Sequence, residues 1–310
     1  MNKIERVDRV LDGKRVDYPP LSLWYHFGVQ HGSGEQHARL SLEFFRHYDL
    51  DFLKVMNDYF YPRPEGIEGV RSRADLQKIT PFDVDDSPWS EQFSALAVIA
   101  RELSGDAYFL DTLFDPWQSL RRNMAGENIE MLMETEPQAT HDALEVITDN
   151  LIAYCKRSLS IGTAGIFMSI FAGQELISQE HFLEFVKPHA LRVFEAIQNS
   201  GRMNTLHIHG NEALYMDDCY DFPARIFNWW DRGPDGPPLS DVKQKIDGCV
   251  MGGIDQKIVS RNTLAHVREH VREGLALGGD THFFLANGCS IDTWVYPGAV
   301  QAIVETARNP

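Results

Sequence analysis

The stretch Leu206-His207-Ile208-His209-Gly210-Asn211 closes a run from Met203 that alternates as a half-buried strand does. Side chains two apart on a strand point to one face, so His207 and His209 present two imidazoles together. Gly210 lets the backbone turn away with no side chain in the opening. Two such rings supply two ligands of a zinc ion, which needs a third from elsewhere. Two histidines hydrogen-bonded at a sheet rim would give the same pattern without a metal. Cys289, at the end of the apolar run 282–289, is the third candidate ligand.

Eight apolar runs must position these residues: 21–27, 51–57, 107–114, 165–171, 203–209, 224–230, 249–255 and 282–289. Helical periodicity separates most of them, at 36–48, 91–103, 117–160 (broken near Gly126 and Pro137), 178–199, 260–277 and from Pro297. Ser178 is placed to cap its helix and Ser200-Gly201 to end it. Eight strands in 310 residues predict an α/β fold, a single (β/α)8 TIM barrel over 1–310 with an N-terminal helical extension. No G-x-G-x-x-G follows a strand, which argues against the doubly wound alternative.

Barrels of this kind carry chemistry where strands end. The polar residues there are His26, Asp58, Asp115, His207, His209, Asp231, Asp255 and Cys289. The acids also suit helix caps, and Cys289 an ordinary buried thiol. Aromatic residues crowd the same ends: Trp24, Tyr25, Tyr59, Phe60, Tyr61, Phe171, Trp229, Trp230, Trp294 and Tyr296. They can stack on an aryl ether or hold a quaternary ammonium, though about half of them are expected to plug the core instead.

With 29 basic and 45 acidic residues the formal charge is -16, and no basic stripe offsets it, which argues against nucleic acid or an anionic membrane as partner. Four cysteines, at 155, 219, 249 and 289, are too scattered for a disulfide scaffold, so a cytoplasmic location is expected. The segment Met1–Leu11 reads as a charged amphipathic helix rather than a signal peptide, and no apolar stretch is long enough to span a bilayer.

Several segments together resemble the uroporphyrinogen decarboxylase superfamily. They are Glu5-Arg6-Val7 with Gly13 and Val16-Asp17-Tyr18-Pro19-Pro20; Gly165-Ile166-Phe167-Met168-Ser169 leading to Glu184-Phe185-Val186-Lys187-Pro188-His189; and Leu206–Asn211, Met251-Gly252-Gly253-Ile254-Asp255 and Asn287-Gly288-Cys289. The resemblance implies the same barrel and one of two chemistries. The decarboxylases carry arginines just after the first Pro-Pro to hold substrate carboxylates; here Leu21–Gly28 has none, although Asp58 matches their aspartate after the second strand. The zinc-dependent, corrinoid-linked methyltransferases hold their metal with His-x-Cys on the fifth strand and a Cys after the eighth. This chain is similar at His207 and Cys289 but has His209 in place of the cysteine. Imidazole for thiolate raises the charge of the site by one, which favours polarising a leaving oxygen over keeping a bound thiolate nucleophilic.

The reading that follows is a zinc-dependent methyltransferase moving a methyl group between a small O- or N-methylated substrate and a corrinoid on a separate protein. His207, His209 and Cys289 are expected to hold the metal, with Glu175 as a candidate fourth ligand. Asp58 and His209 are the candidate catalytic residues. Trp24, Tyr25, His26, Tyr59, Trp230 and Trp294 are expected to contact substrate, and Asp231 or Asp255 to orient a ligand histidine. Homodimerisation stays open. The alternatives are a metal-free decarboxylase using Asp58 and His209, a metal-free betaine-type methyltransferase using the aromatic residues, and a binding barrel without catalysis.

Overall fold

Eight parallel strands follow one another around one sheet in a computed structural model that describes residues 1–310. They are β1 Leu21–Ser22, β2 Phe52–Val55, β3 Tyr108–Phe114, β4 Gly165–Phe171, β5 Thr205–His209, β6 Ile226–Trp229, β7 Cys249–Ile254 and β8 Phe283–Asn287. The order β1-β8-β7-β6-β5-β4-β3-β2, with helices between successive strands, is that of a (β/α)8 barrel. Strands β4, β6, β7 and β8 are buried along their whole length, as a parallel sheet covered on both faces requires.

β1 is far shorter than its apolar run. Beyond Ser22 the backbone of Trp24 leaves the ladder and bonds to a side chain instead. Its N–H donates to Asn287 Oδ1 at 3.3 Å and its carbonyl accepts from Asn287 Nδ2 at 3.3 Å. The seam between β1 and β2 is closed by Asp51, whose N–H donates to the Leu21 carbonyl at 2.8 Å. Its carboxylate accepts from the Leu21 N–H at 2.9 Å.

The N-terminal extension is a helix, Lys3–Leu11, capped by Asn2, whose side chain accepts from the Glu5 N–H at 2.8 Å. Its apolar face, Val7, Val10 and Leu11, packs onto Phe52, Leu110, Ile226 and Phe284, which fill the lower barrel. On the same helix Arg6 donates to Asp51 at 2.7 Å, so the floor and the seam share one ion pair.

Two helical regions depart from simple periodicity. Ser178 caps Gln179–His181 as expected, accepting from the His181 N–H at 3.2 Å, but the chain then forms a π-helical turn over Phe182–Val186 before Lys187–Ile197. Pro188 lacks the N–H that would continue an α-helical ladder there. A second π-helical turn, Arg121–Ala125, follows Pro116–Leu120 and ends at Gly126, with φ of 58°. The region 260–277 is two helices, Gln256–Arg261 and Leu264–Gly278, because Thr263 caps the second by accepting from the His266 N–H at 3.3 Å. No helix is long and apolar enough to cross a membrane.

His37, within helix Gly34–His47, is fully buried and neither ring nitrogen has a hydrogen-bond partner. Burial pushes its pKa down to about 4. The unfolded chain therefore binds a proton that the folded chain refuses as pH falls from about 6.5 to 4, and the fold loses about 3 kcal/mol through this residue over that window. His37→Leu is expected to remove that loss. Urea denaturation at a series of pH values checks it: the stability advantage of the variant should grow below pH 6.5, and a constant difference would contradict the assignment.

Candidate metal centre

His207 and His209 both face inward at the C-terminal end of β5, where His207 lies level with Ser169 of β4 and Asn228 of β6. His207 Nδ1 meets Asn228 Oδ1 at 2.6 Å. The Asn228 amide is fixed in that sense because its Nδ2 donates to the Met251 carbonyl at 2.9 Å and the Asn287 carbonyl at 3.3 Å. Nδ1 of His207 is thereby the protonated nitrogen, and Nε2 is left with a free lone pair that could bind a metal. The Phe167 ring stacks on this imidazole with centroids 5.3 Å apart.

Cys289 reaches the same place from the turn after β8. Its N–H donates to Gln256 Oε1 at 3.1 Å and its carbonyl accepts from Asn287 Nδ2 at 2.6 Å. Its Sγ lies 3.7 Å from His209 Nδ1, and donor atoms of His207, His209 and Cys289 all fall within 4.8 Å of one another. Tetrahedral zinc with ordinary bond lengths sets its ligand atoms about 3.3–3.8 Å apart, so the trio fits with small side-chain adjustment. Burial lowers the pKa of both imidazoles, that of His207 strongly, and raises that of the thiol. Neutral imidazoles beside a thiol that ionises on binding are a donor set zinc takes.

The trio lines a cavity of about 250 Å³ together with Trp24, His26, Lys54, Phe167 and Phe171. An adjoining cavity of about 350 Å³ shares His26 and adds Asp58 and Tyr59. The Asp58 side chain is 8% exposed, and its Oδ1 lies 2.5 Å from His26 Nδ1. Burial works to raise its pKa, but the hydrogen bond and charge of His26 leave it lowered. Asp58 is thus a hydrogen-bonded partner of His26, with its carboxylate form favoured.

Other expected residues lie elsewhere. Tyr25 packs edge-on against Phe44, with centroids 5.2 Å apart. Trp230 is covered by Lys257, whose Nζ sits 3.8 Å from its ring centre, and lines neither cavity. Trp294 is 67% exposed, outside both cavities. Glu175 is engaged by the Asn211 N–H, which donates to its Oε1 at 2.6 Å, and stands outside the ligand group. Neither Asp231 nor Asp255 hydrogen-bonds to His207 or His209. Asp231 accepts from the Gly253 N–H at 3.1 Å, and Asp255 caps its helix by accepting from the Lys257 N–H at 2.7 Å. The orienting residue is Asn228. Asp115 is likewise a cap, accepting from the Gln118 N–H at 2.9 Å.

The residues missed from sequence are Asn228, Lys54, Arg121 and Arg122. Both Asn228 and Lys54 carried a signal: each is a polar residue at an inward position of a short apolar strand, Lys54 between Phe52 and Met56 and Asn228 two beyond Ile226.

The family profile described as "Uroporphyrinogen decarboxylase (URO-D)" matches residues 59–310. The uroporphyrinogen decarboxylase of Nocardia farcinica is 26% identical over 195 residues, 59% of this chain and 52% of that protein. A methylated-thiol–coenzyme M methyltransferase of Methanosarcina mazei is 26% identical over 163 residues, 50% of this chain and 41% of that protein. The chain spans about half the length of the curated relatives it matches. Among solved structures, a methyltransferase from Methanosarcina mazei superposes with a TM-score of 0.78 at 17% identity, over 100% of this chain and 99% of that one. A B12-independent methionine synthase from Shewanella sp. W3-18-1 gives 0.60 at 12% identity, over 94% and 92%. Likenesses at such identities show the barrel alone.

Proposed function

The chain belongs to the uroporphyrinogen decarboxylase family, and from that premise we propose that it is a zinc-dependent methyltransferase. It moves a methyl group from a small O-methylated substrate to the corrinoid of a partner protein. The observation that carries this reading is the convergence of His207, His209 and Cys289 on one point of the cavity. The relative named for methyl transfer from methylated thiols supports it.

Zinc bound by two imidazoles and one thiolate would supply positive charge to the oxygen that loses its methyl group, more of it than a two-thiolate site gives. Asn228 holds His207 in the tautomer that leaves Nε2 available. Trp24, Phe167 and Phe171 wall the cavity and suit the flat face of an aryl ether. His26 lines both cavities with Nδ1 bonded to Asp58, which leaves Nε2 to deliver a proton to the departing oxygen.

Anaerobic incubation of the zinc-reconstituted protein with cob(I)alamin and a panel of aryl methyl ethers, methyl thioethers, methanol and methylated amines tests the reading. Methylcob(III)alamin should form fastest from an ether, and His209→Cys should keep metal while slowing that reaction. Conversion with thioethers alone, or faster ether demethylation by His209→Cys, would count against it. Uroporphyrinogen should give no coproporphyrinogen above the protein-free control; if it does, the metal-free decarboxylase takes precedence.

A further inference from the structure

The cavity holds three basic side chains that the proposed reaction does not use. Lys54 is buried inside the barrel, with its Nζ 2.8 Å from Met56 Sδ, 4.4 Å from the Phe167 ring centre and 5.2 Å from that of Trp24. Arg121 and Arg122 stand on the π-helical turn at the rim; Arg122 lies 3.9 Å over Phe114 and Arg121 5.8 Å over Trp117. All three side chains line the same cavity, and none is within ion-pair distance of a carboxylate. In a chain with 45 acidic residues against 29 basic ones, that is a specific arrangement. Aromatic faces attract a cation but leave its charge uncompensated. A buried ammonium with no anion is costly, and an inserted π-helical turn is a frequent mark of a functional site.

We infer that this cavity selects a methylated substrate carrying a carboxylate, and that Lys54, Arg121 and Arg122 select for it. The inference rests on the methyltransferase reading for the methyl group only. The planar guanidinium groups match a carboxylate, and Lys54 adds a third basic group deeper in the cavity. An aromatic ring between charge and ether would lie against Trp24 and Phe167.

Calorimetric titration of the zinc-reconstituted protein with para-methoxybenzoate and para-methoxybenzamide tests this without relying on turnover. The acid should bind about tenfold or more tightly than the amide, the difference expected for charged hydrogen bonds. Arg121→Gln/Arg122→Gln and Lys54→Met should each erase most of that preference while leaving amide affinity within about twofold. Lys54→Met should also melt at a higher temperature than the parent, which excludes unfolding as the cause. Because a carboxylate can itself bind zinc, the titration is repeated with His207→Ala; the preference should survive. Equal binding of acid and amide, loss of the preference in His207→Ala, or variants that keep the parent's preference for the acid would each overturn the inference. Preferential acid binding without methyl transfer would uphold it and sink the function proposed above. Equal transfer from the neutral ether would do the reverse.

Discussion

Cys289→Ala is expected to empty the metal centre and to lower methyl transfer to cob(I)alamin roughly a thousandfold or more, several kcal/mol of charge stabilisation being at stake. The thiol is the one anionic donor of the trio, and its Sγ lies 3.7 Å from His209 Nδ1. Without it two neutral imidazoles remain, a set that holds zinc weakly. Cys155 supplies the control: it is wholly buried, its thiol pushed up strongly by burial, and it belongs to no ligand group. Cys155→Ala should keep full metal content. Elemental analysis of both variants after zinc reconstitution decides the matter; retention of zinc by Cys289→Ala would remove that residue from the centre.

The largest effect on stability should come from the floor of the barrel. Asp51→Ala is expected to cost about 3–5 kcal/mol, because it leaves the Arg6 guanidinium buried without its interior partner. The two side chains are 4% and 1% exposed. Burial works against the charge on Arg6, yet hydrogen bonding to Asp17 and the field of Asp51 leave its pKa raised. At Asp51 burial prevails and the carboxyl is raised too. The pair therefore adds little beyond what apolar residues of like size would give. Its value lies in closing the seam, where Asp51 also accepts from the Leu21 N–H. A double variant, Arg6→Met with Asp51→Leu, should recover most of the loss. Urea denaturation of single and double variants measures this, and a single variant within about 1 kcal/mol of the parent would contradict the assigned role.

The same contrast explains what was legible in the sequence. The alternation at His207 and His209, the apolar run before Cys289 and the count of eight strands are local patterns that the sheet enforces, and all three lead to the mouth of the barrel. What stayed hidden depends on pairings across the sheet. Asn228 orients His207 because β5 and β6 pair in one register, and nothing near Asn228 in the chain names that partner. Asp231 and Asp255 stand at strand ends as ligand-orienting acids would, but backbone N–H groups compete for them and win. The segment after β1, where the decarboxylases hold substrate carboxylates, has no arginine. Arg121 and Arg122 enter the cavity from the turn beyond β3, and Lys54 from within β2.

X-ray absorption at the zinc K-edge, recorded on the reconstituted protein and on His209→Cys, puts the central claim to its most direct test. The parent should show about one zinc per chain with two nitrogen donors near 2.0–2.1 Å and one sulfur near 2.3 Å, and His209→Cys should exchange one nitrogen for a second sulfur. Failure to take up zinc, or a shell without sulfur that the variant leaves unchanged, would contradict a metal centre built from His207, His209 and Cys289.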